Sequence, residues 1–192
     1  MSPIIKPIGL VPFGKVPDII PKAICATVLG YLNIDTDIFL PQEYPCGAYD
    51  KERLQYNAGI FLERLEALPF TGYEKIIGVL DADLFVPILT FVFGEARRGG
   101  KCALVSLYRL GKNPDGTFPS ETLFLERSTK VALHELGHLF NLVHCADEHC
   151  LMHFSGGIQD LDKVPPYFCR YCSVFLKDAF SLAQKKIQNP VD

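Results

Sequence analysis

The sequence carries little net charge and has no long hydrophobic run. Its net charge is −3 over 192 residues, with no long run of one sign, which argues against a dedicated binder of nucleic acid or anionic membranes. The longest uncharged stretches, residues 23–34 and 84–94, are well short of the ~20 apolar residues that a membrane span needs. We therefore expect no nucleic acid and no membrane among the partners, and we expect a monomer.

The N-terminal residues also lack the pattern of a secretion signal. Residues 1–18 contain prolines but no basic segment leading into an apolar run, which predicts a cytoplasmic protein. In that reducing compartment the seven cysteines should stay reduced unless a metal binds them. Hydrophobic residues make up 48% of the chain, enough for a sizeable core, and the length fits one domain over residues 1–192.

Histidine is absent from the first 133 residues and then occurs five times within 20 residues. The single methionine besides Met1 lies in the same window, and four of the seven cysteines lie in it or just after it. Residue types that bind metals are therefore concentrated in the last third of the chain.

Short apolar runs that alternate with amphipathic segments predict a mixed α/β fold. The run at residues 76–80 follows a helical pattern, as in a βαβ unit, and should be buried on both faces. The predicted strands are residues 4–10, 76–80, 88–93 and 103–108, and the predicted loops are residues 41–49, 95–101 and 112–119. The predicted helices are residues 22–33, a segment from an N-cap at Asp50 to Leu68, a long segment from an N-cap at Ser120 to about Leu139, and residues 173–187.

An H-E-x-x-H motif lies on the long predicted helix. His134 and His138 are four residues apart, so both imidazoles lie on one face and can bind one metal ion. Glu135 is placed to reach a water on that ion and to act as general base. So short a motif also occurs by chance on ordinary helices, so its continuation along the chain matters.

His144 follows His138 by six residues, which on a continuous helix would place it ~9 Å further along the axis. It can come within the ~2.0–2.1 Å of a zinc–nitrogen bond only if the helix ends and the chain turns back. Asn141 stands where that turn is needed, and Asn is the commonest non-glycine residue in the left-handed conformation. We predict a positive φ at Asn141 and one catalytic zinc bound by His134, His138 and His144.

Four cysteines form a second candidate metal site with the pattern C-x4-C followed by C-x2-C: Cys145, Cys150, Cys169 and Cys172. Four thiolates make a closed tetrahedral zinc site, which is normally structural. Two disulfides or free thiols are the alternatives, but a reducing compartment and the C-x-x-C pair favour zinc. Since Cys145 directly follows His144, this zinc would fix the return of the chain after the helix.

The spacing of these residues resembles that of a known family. The pattern from His134 through Asn141 to His144 is similar to the long zinc motif of the metzincin metalloproteases, and Met152 resembles the methionine of their Met-turn, which lies beneath the metal. More narrowly, the spacing of the four cysteines around Met152 is similar to that of the archaemetzincins. Two positions depart from metzincin patterns: Asn141 replaces a common glycine, and Phe154 replaces the tyrosine of astacin-like members, which excludes a tyrosine ligand there.

The resemblance implies a zincin-like fold, in which a mixed twisted sheet is packed against long backing and active-site helices. An upper subdomain would span residues 1–143, and a small zinc-stapled subdomain with the Met-turn would span residues 144–192. The activity implied is that of a zinc metallopeptidase with a peptide or protein substrate, two zinc ions and a zinc-bound water activated by Glu135. By the same analogy, the strand at residues 103–108 would align an extended peptide at the cleft rim.

A non-catalytic zinc module, whose cleft binds a peptide or a protein partner, is the alternative function. Glu135 favours the enzyme over the binding module, because a purely structural three-histidine site needs no carboxylate beside its ligands.

The remaining histidines and cysteines are predicted to have no role in metal binding. His149 and His153 should lie at the surface or behind the ligands, and the other three cysteines should be small buried residues: Cys25, Cys46 and Cys102.

Overall fold

The structure is a computed structural model that describes residues 6–188, with side chains as far as Leu182. Residues 4 and 5 of the first predicted strand lie outside the described residues. Among the described residues, no helix is long and apolar enough to span a membrane. The elements, in chain order, are β1 (Ile8–Phe13), α1 (Ile19–Leu32), β2 (Thr36–Ile38), β3 (Tyr49–Asp50), β4 (Gln55–Asn57), α2 (Ala58–Glu66), β5 (Lys75–Leu80), β6 (Leu84–Phe85), β7 (Gly94–Ala96), β8 (Cys102–Ser106), α3 (Glu121–Leu139), α4 (Ile158–Lys163) and α5 (Arg170–Gln188).

The main sheet has five strands in the order β2-β1-β5-β8-β7. All neighbours in it are parallel except β7, which runs antiparallel to β8 at the edge. A second, three-stranded sheet has the order β3-β4-β6. This architecture confirms the predicted mixed α/β fold, and β5 is the central buried strand that its apolar run predicted.

Both faces of the main sheet are covered, which explains why its central strands are apolar throughout. Ile77 and Val79 of β5 pack with α1 and α3, while Ile76 and Leu80 point to the opposite face and pack with α2. The first of these two cores continues past α3 into the segment that carries Cys150 and Met152. The residues around the predicted metal sites are therefore packed on the same core as the sheet.

Helix α3 begins where the sequence predicted. The Ser120 Oγ accepts a hydrogen bond from the Leu123 N–H at 3.2 Å, which is the N-cap geometry. Further along, the buried Arg127 guanidinium makes two hydrogen bonds of 2.7 Å to the Asp162 carboxylate of α4 and donates to the Leu110 carbonyl. These contacts join α3 to the loop after β8 and to α4, so the helix is held at both sides of the cleft described below.

The predicted helix after Asp50 begins seven residues later than expected, with its N-cap at Asn57. Asp50 lies in β3, and its Oδ1 accepts the N–H groups of Glu52 and Arg53, so the carboxylate caps a turn rather than a helix. Leu54 has φ of 55° and breaks any helical path. The N-cap of α2 is Asn57, whose Oδ1 accepts from the Gly59 N–H.

The strand predicted at residues 88–93 is wrong, because this segment forms a loop with Ile88 almost fully exposed. Side chains from distant positions in the sequence donate hydrogen bonds to backbone carbonyl groups of this segment. In a strand, those carbonyl groups would bond to a neighbouring strand. Arg53 and Gln55 donate to the Thr90 carbonyl, and the Arg109 guanidinium stacks on the Phe91 ring at 4.0 Å. We call residues 89–93 the rim loop, since they line one side of the cleft.

The strand predicted at residues 103–108 forms as β8, but it lies inside the sheet rather than at the cleft rim. Residues 95 and 96, predicted as loop, form β7 together with Gly94, and among the described residues the outer edge of this strand is unpaired. The helices predicted at 22–33 and 173–187 are confirmed as α1 and α5, and each begins three residues earlier than expected.

Candidate active site

A cleft with a volume of about 570 Å³ runs between the edge strand β7, helix α3 and the chain that follows α3. The rim loop, which precedes β7, and Arg98, which follows it, also line the cleft. His134, His138 and His144 all line this cleft. The three predicted ligands, spread over eleven residues of sequence, therefore meet in one open site.

The three imidazoles converge through their Nε2 atoms. The Nε2 of His138 lies 3.1 Å from that of His134 and 3.3 Å from that of His144. The Nδ1 of His134 contacts the Leu151 carbonyl at 2.8 Å, and the Nδ1 of His138 contacts the Leu142 carbonyl at 2.9 Å. Because a carbonyl only accepts, both Nδ1 atoms carry the proton and both Nε2 atoms offer a lone pair.

This arrangement fits a zinc ion. Two nitrogens bound tetrahedrally at ~2.1 Å from a zinc lie about 3.4 Å apart, close to the separations seen here. Burial lowers the pKa of His134 to about 3, and burial also lowers the pKa of His138 and His144. Neutral rings whose lone pairs face one another repel unless a cation lies between them, so the donor set is suited to a metal.

The chain turns back at Asn141. Helix α3 ends at Leu139, and Asn141 has φ of 74°, in the left-handed region where Asn is tolerated. The N–H groups of Asn141 and Leu142 bond to the His138 and Gly137 carbonyls at 2.9 Å. This turn returns the chain to the cleft and places His144 against the other two histidines.

Glu135 is the only buried carboxylate among the described residues of the cleft, with 6% of its surface exposed. Burial raises the pKa of its carboxyl group well above the usual range, and the nearby Glu95 carboxylate raises it further. Its side chain lies against Gly94 of the edge strand: a Cβ at that position would be 2.6 Å from both Cγ and Oε1 of Glu135. The space that holds Glu135 therefore depends on a glycine in β7.

We expect Gly94→Ala to displace the Glu135 side chain and to lower the rate of peptide hydrolysis about 10- to 100-fold, because small misplacements of a reacting group are costly. Zinc content should not change, since none of the three atoms nearest to the added Cβ belongs to a histidine. The matched control is Gly30→Ala in α1, where an added Cβ meets no atom within 4 Å. Hydrolysis by Gly94→Ala at the rate of Gly30→Ala would show that Gly94 does not set the position of Glu135.

Met152 packs directly on the backbone of α3. A Cβ at Gly137 would collide with the Met152 Sδ, so the glycine inside the H-E-x-x-H motif makes room for this side chain. Met152 is fully buried, and the preceding Leu151 supplies the carbonyl that orients His134. Residues 151–152 thus pack against α3 and orient His134, and neither side chain is among the predicted ligands.

The four predicted cysteine ligands also come together. Their Sγ atoms all lie within 4.8 Å of one another, and those of Cys145 and Cys169 are 3.9 Å apart. Thiolates bound tetrahedrally at ~2.3 Å from a zinc would lie about 3.8 Å apart, whereas a disulfide needs ~2.05 Å. All four are free thiols in this structure, and the Cys169 N–H donates to the Cys150 Sγ. The geometry fits a closed metal site and does not fit two disulfides.

The other metal-binding residue types lie apart from both sites. Cys102 is buried, as predicted, whereas Cys25 is only half-buried and Cys46 is exposed, so the predicted burial of Cys46 is wrong and that of Cys25 is met only in part. His149 is exposed, and the Nδ1 of His153 contacts the Cys145 carbonyl at 3.1 Å behind the ligands.

Sequence reasoning missed three features of the cleft: the rim loop, Gly94 and Lys130. Nothing in the local pattern marks the rim loop or Gly94, because both depend on residues far away in sequence. Lys130 could have been found, since it precedes His134 by four residues and so lies on the same face of α3.

A mixed sheet with an open antiparallel edge, a helix that presents two histidines and a buried glutamate, and a third histidine after a turn together define a zinc metallopeptidase of the metzincin type. Known proteins agree with this class. Residues 32–178 match Peptidase family M54. An archaemetzincin from Methanopyrus kandleri is 41% identical over 133 residues, which cover 69% of this chain and 72% of that protein.

Solved structures have the same fold. The crystal structure of the Methanopyrus kandleri archaemetzincin matches with a TM-score of 0.80 and 35% identity, over 92% of this chain and 96% of that one. A zinc-dependent peptidase from Methanocorpusculum labreanum matches with a TM-score of 0.78 and 27% identity, over 88% and 99% of the two chains. The chain belongs to Peptidase family M54 and is a zinc-dependent metallopeptidase, which confirms the predicted resemblance to archaemetzincins.

Proposed function

We propose that His134, His138 and His144 hold the catalytic zinc and that Glu135 is the general base of peptide hydrolysis. The observation that carries this assignment is the convergence of three Nε2 lone pairs in an open cleft beside a buried carboxylate. When bound, zinc supplies a Lewis acid that activates water and polarises the scissile carbonyl. A non-catalytic peptide-binding module is not favoured, because the family is one of peptidases.

Glu135 would accept the proton of the attacking water at its carboxylate and then deliver it to the leaving amine. Burial raises the pKa of its carboxyl group, which makes the carboxylate a stronger base for the first of these steps. Gly94 and the wall of β7 limit where the carboxylate can point. Met152 shapes the floor of the site and takes no part in proton transfer.

The substrate would align along the open edge of β7 by adding a strand. Gly94 lies against Glu135, and after β7 the Gly99 N–H bonds to the His138 carbonyl, so β7 and α3 run in the same direction along the cleft. Antiparallel pairing, the more stable arrangement, then runs the peptide from Arg98 towards the rim loop. Residues on the leaving side of the scissile bond would lie near the rim loop.

We further propose that the four cysteines bind a second, structural zinc, so that each chain carries two. One catalytic domain over residues 1–192 would place residues 1–143 on one side of the cleft and residues 144–192, with the Met-turn at Met152, on the other. Its partners would be peptides or proteins as substrates. A monomer suffices, because both metal sites and the base come from one chain.

The proposed function is tested by digesting a mixed peptide library and identifying the products by mass spectrometry. We expect zinc-loaded protein to cleave peptides, a strong chelator to abolish cleavage, and added zinc to restore it, because activation of water depends on the metal. Protein treated with chelator and then given Mg²⁺ is the control. If the zinc-loaded protein cleaves no peptide in the library, the proposed hydrolysis is wrong and the peptide-binding alternative gains support.

A further inference from the structure

Lys130 is a buried lysine that lines the cleft, and the proposed chemistry does not use it. It lies one helical turn before His134 on α3, and only 2% of its side chain is exposed. Lysine is almost never fully buried unless its charge is paired, since desolvation of an ammonium group is costly. Its place in the cleft wall therefore calls for an explanation.

The ammonium group has more donors than the described residues have acceptors for it. Its Nζ lies 2.6 Å from the Glu126 Oε1 and 3.3 Å from the Leu161 carbonyl, which accounts for two of the three N–H donors. Asp162, which follows Leu161 in sequence, is already bound in two hydrogen bonds by Arg127. One donor of Lys130 is thus left for an acceptor that enters the cleft.

The surroundings of Lys130 would strengthen such a contact. Its cleft neighbours Val131 and Leu161 are buried and apolar, so an ion pair here is screened less than one at the surface. Its intramolecular partner Glu126 is 44% exposed, so that carboxylate can turn to water when another carboxylate arrives. In the free protein Lys130 is therefore paired with Glu126, and a carboxylate that enters the cleft can replace Glu126 as its partner.

The direction of the substrate fixes which part of it meets Lys130. A peptide antiparallel to β7 runs from Arg98 past His138 and His134 towards the rim loop, and Lys130 lies beyond His134 on that path. The group that reaches Lys130 belongs to the residue that follows the scissile bond.

We propose that Lys130 is a specificity-determining residue that binds a carboxylate on the leaving side of the scissile bond, a proposal that rests on the peptidase function proposed above. The carboxylate has two sources: the side chain of Asp or Glu directly after the bond, or the free C-terminus of a substrate cut one residue from its end. A carboxylate also matches the chemistry of Glu126, which binds the same ammonium group in the free protein.

The test uses synthetic peptides built on one sequence that the library digestion identifies. One pair carries Glu or Gln directly after the scissile bond, with the C-terminus amidated in both. A second pair ends one residue after the bond and carries a free acid or an amide. We expect the wild type to prefer the acidic member of at least one pair about tenfold in kcat/KM, and the responding pair identifies the source.

Lys130→Met keeps the length of the side chain and removes its charge, so it should erase this preference, while Lys130→Arg should retain it. Glu126→Gln leaves Lys130 in place and removes its internal competitor, so it should increase the preference. Lys163→Met on α4 is the matched control, because it removes the same charge from an exposed position outside the cleft. The preference of the control should equal that of the wild type.

A purely structural role for Lys130 predicts a different pattern: Lys130→Met would slow acidic and neutral peptides equally, and Glu126→Gln would not change their ratio. Either result would overturn the proposal. A binding measurement separates this failure from failure of the proposed hydrolysis. Zinc-loaded Glu135→Gln protein should bind a pool of short random peptides that carry Glu or a free C-terminal acid about tenfold more tightly than the matched pool with Gln or an amide, and this comparison needs no cleavable sequence. Equal affinities would also overturn the proposal.

Discussion

Glu135→Gln is expected to lower the rate of peptide hydrolysis by about 100- to 10,000-fold while zinc content and thermal stability stay close to those of the wild type. General acid–base catalysis contributes on this scale, and an amide cannot take a proton from water. Gln has the shape of Glu, so the contact with Gly94 is kept and the histidines are not disturbed. Burial of a neutral amide also removes the cost of a buried carboxylate.

The measurements are initial rates by mass spectrometry, elemental zinc analysis and thermal unfolding on the same preparation. Glu63→Gln, an exposed position on α2, is the control for the loss of one negative charge. A Glu135→Gln protein that hydrolyses peptides within a few-fold of Glu63→Gln would contradict the role of Glu135. A protein that has lost zinc would show instead that the carboxylate supports the ligands.

Cys169→Ala is expected to lower the unfolding temperature substantially or to yield insoluble protein, because the cysteine cluster joins three parts of the chain that are separate in sequence and a thiolate site that lacks one ligand binds zinc poorly. Cys169, directly before α5, donates its N–H to the Cys150 Sγ, and its own Sγ lies 3.9 Å from that of Cys145, the residue after the third histidine. Structural zinc binding contributes roughly 10–16 kcal/mol in small zinc domains, comparable to the whole stability of ordinary domains at about 5–15 kcal/mol.

His138→Ala is the comparison variant, and its expected result is the opposite one. It should lower zinc to about one ion per chain, abolish hydrolysis and leave a cooperative unfolding transition close to that of the wild type. Helix α3 is held by the Ser120 cap, by Arg127 and by its apolar face, none of which depends on the histidines. Both variants should be measured in reducing buffer, with zinc analysis beside thermal unfolding.

Two results would contradict the proposed second zinc. Wild-type protein that holds one zinc while all four cysteines react with a thiol reagent would leave the cluster without a metal. Disulfides among the same four cysteines, in protein kept reduced throughout, would also exclude a thiolate site. Equal loss of stability in Cys169→Ala and His138→Ala would show that the two sites do not differ in their structural role.

The histidine and cysteine clusters could be found without coordinates because their geometry is set by spacing along the chain. Four residues on a helix place His134 and His138 on one face, and the need to turn back places a left-handed residue at Asn141. The helix that carries them is also locally specified, by a serine cap and a regular apolar period. These features depend on neighbours within a few turns.

The cleft walls could not be found in this way. The apolar segment at residues 88–93 has the composition of a strand, yet Arg53, Gln55 and Arg109 bind it as a loop from positions far away in sequence. The Asp50 carboxylate can accept backbone N–H groups either as a helix cap or as part of a hairpin turn. The hairpin forms because β3 pairs with β4, and β4 in turn pairs with β6, which lies far away in sequence.

Local spacing was therefore enough to predict the class of zinc peptidase and to select the residues proposed as ligands and base, because helical period and metal-ligand distances leave few alternatives. Only the packing of distant segments made β7 the open edge and placed Gly94 against Glu135. The same packing buried Lys130 in the cleft wall with a single exposed carboxylate as its partner. Edge position and burial arise only when the sheet and helices assemble, so they cannot be predicted from the residues of these segments alone.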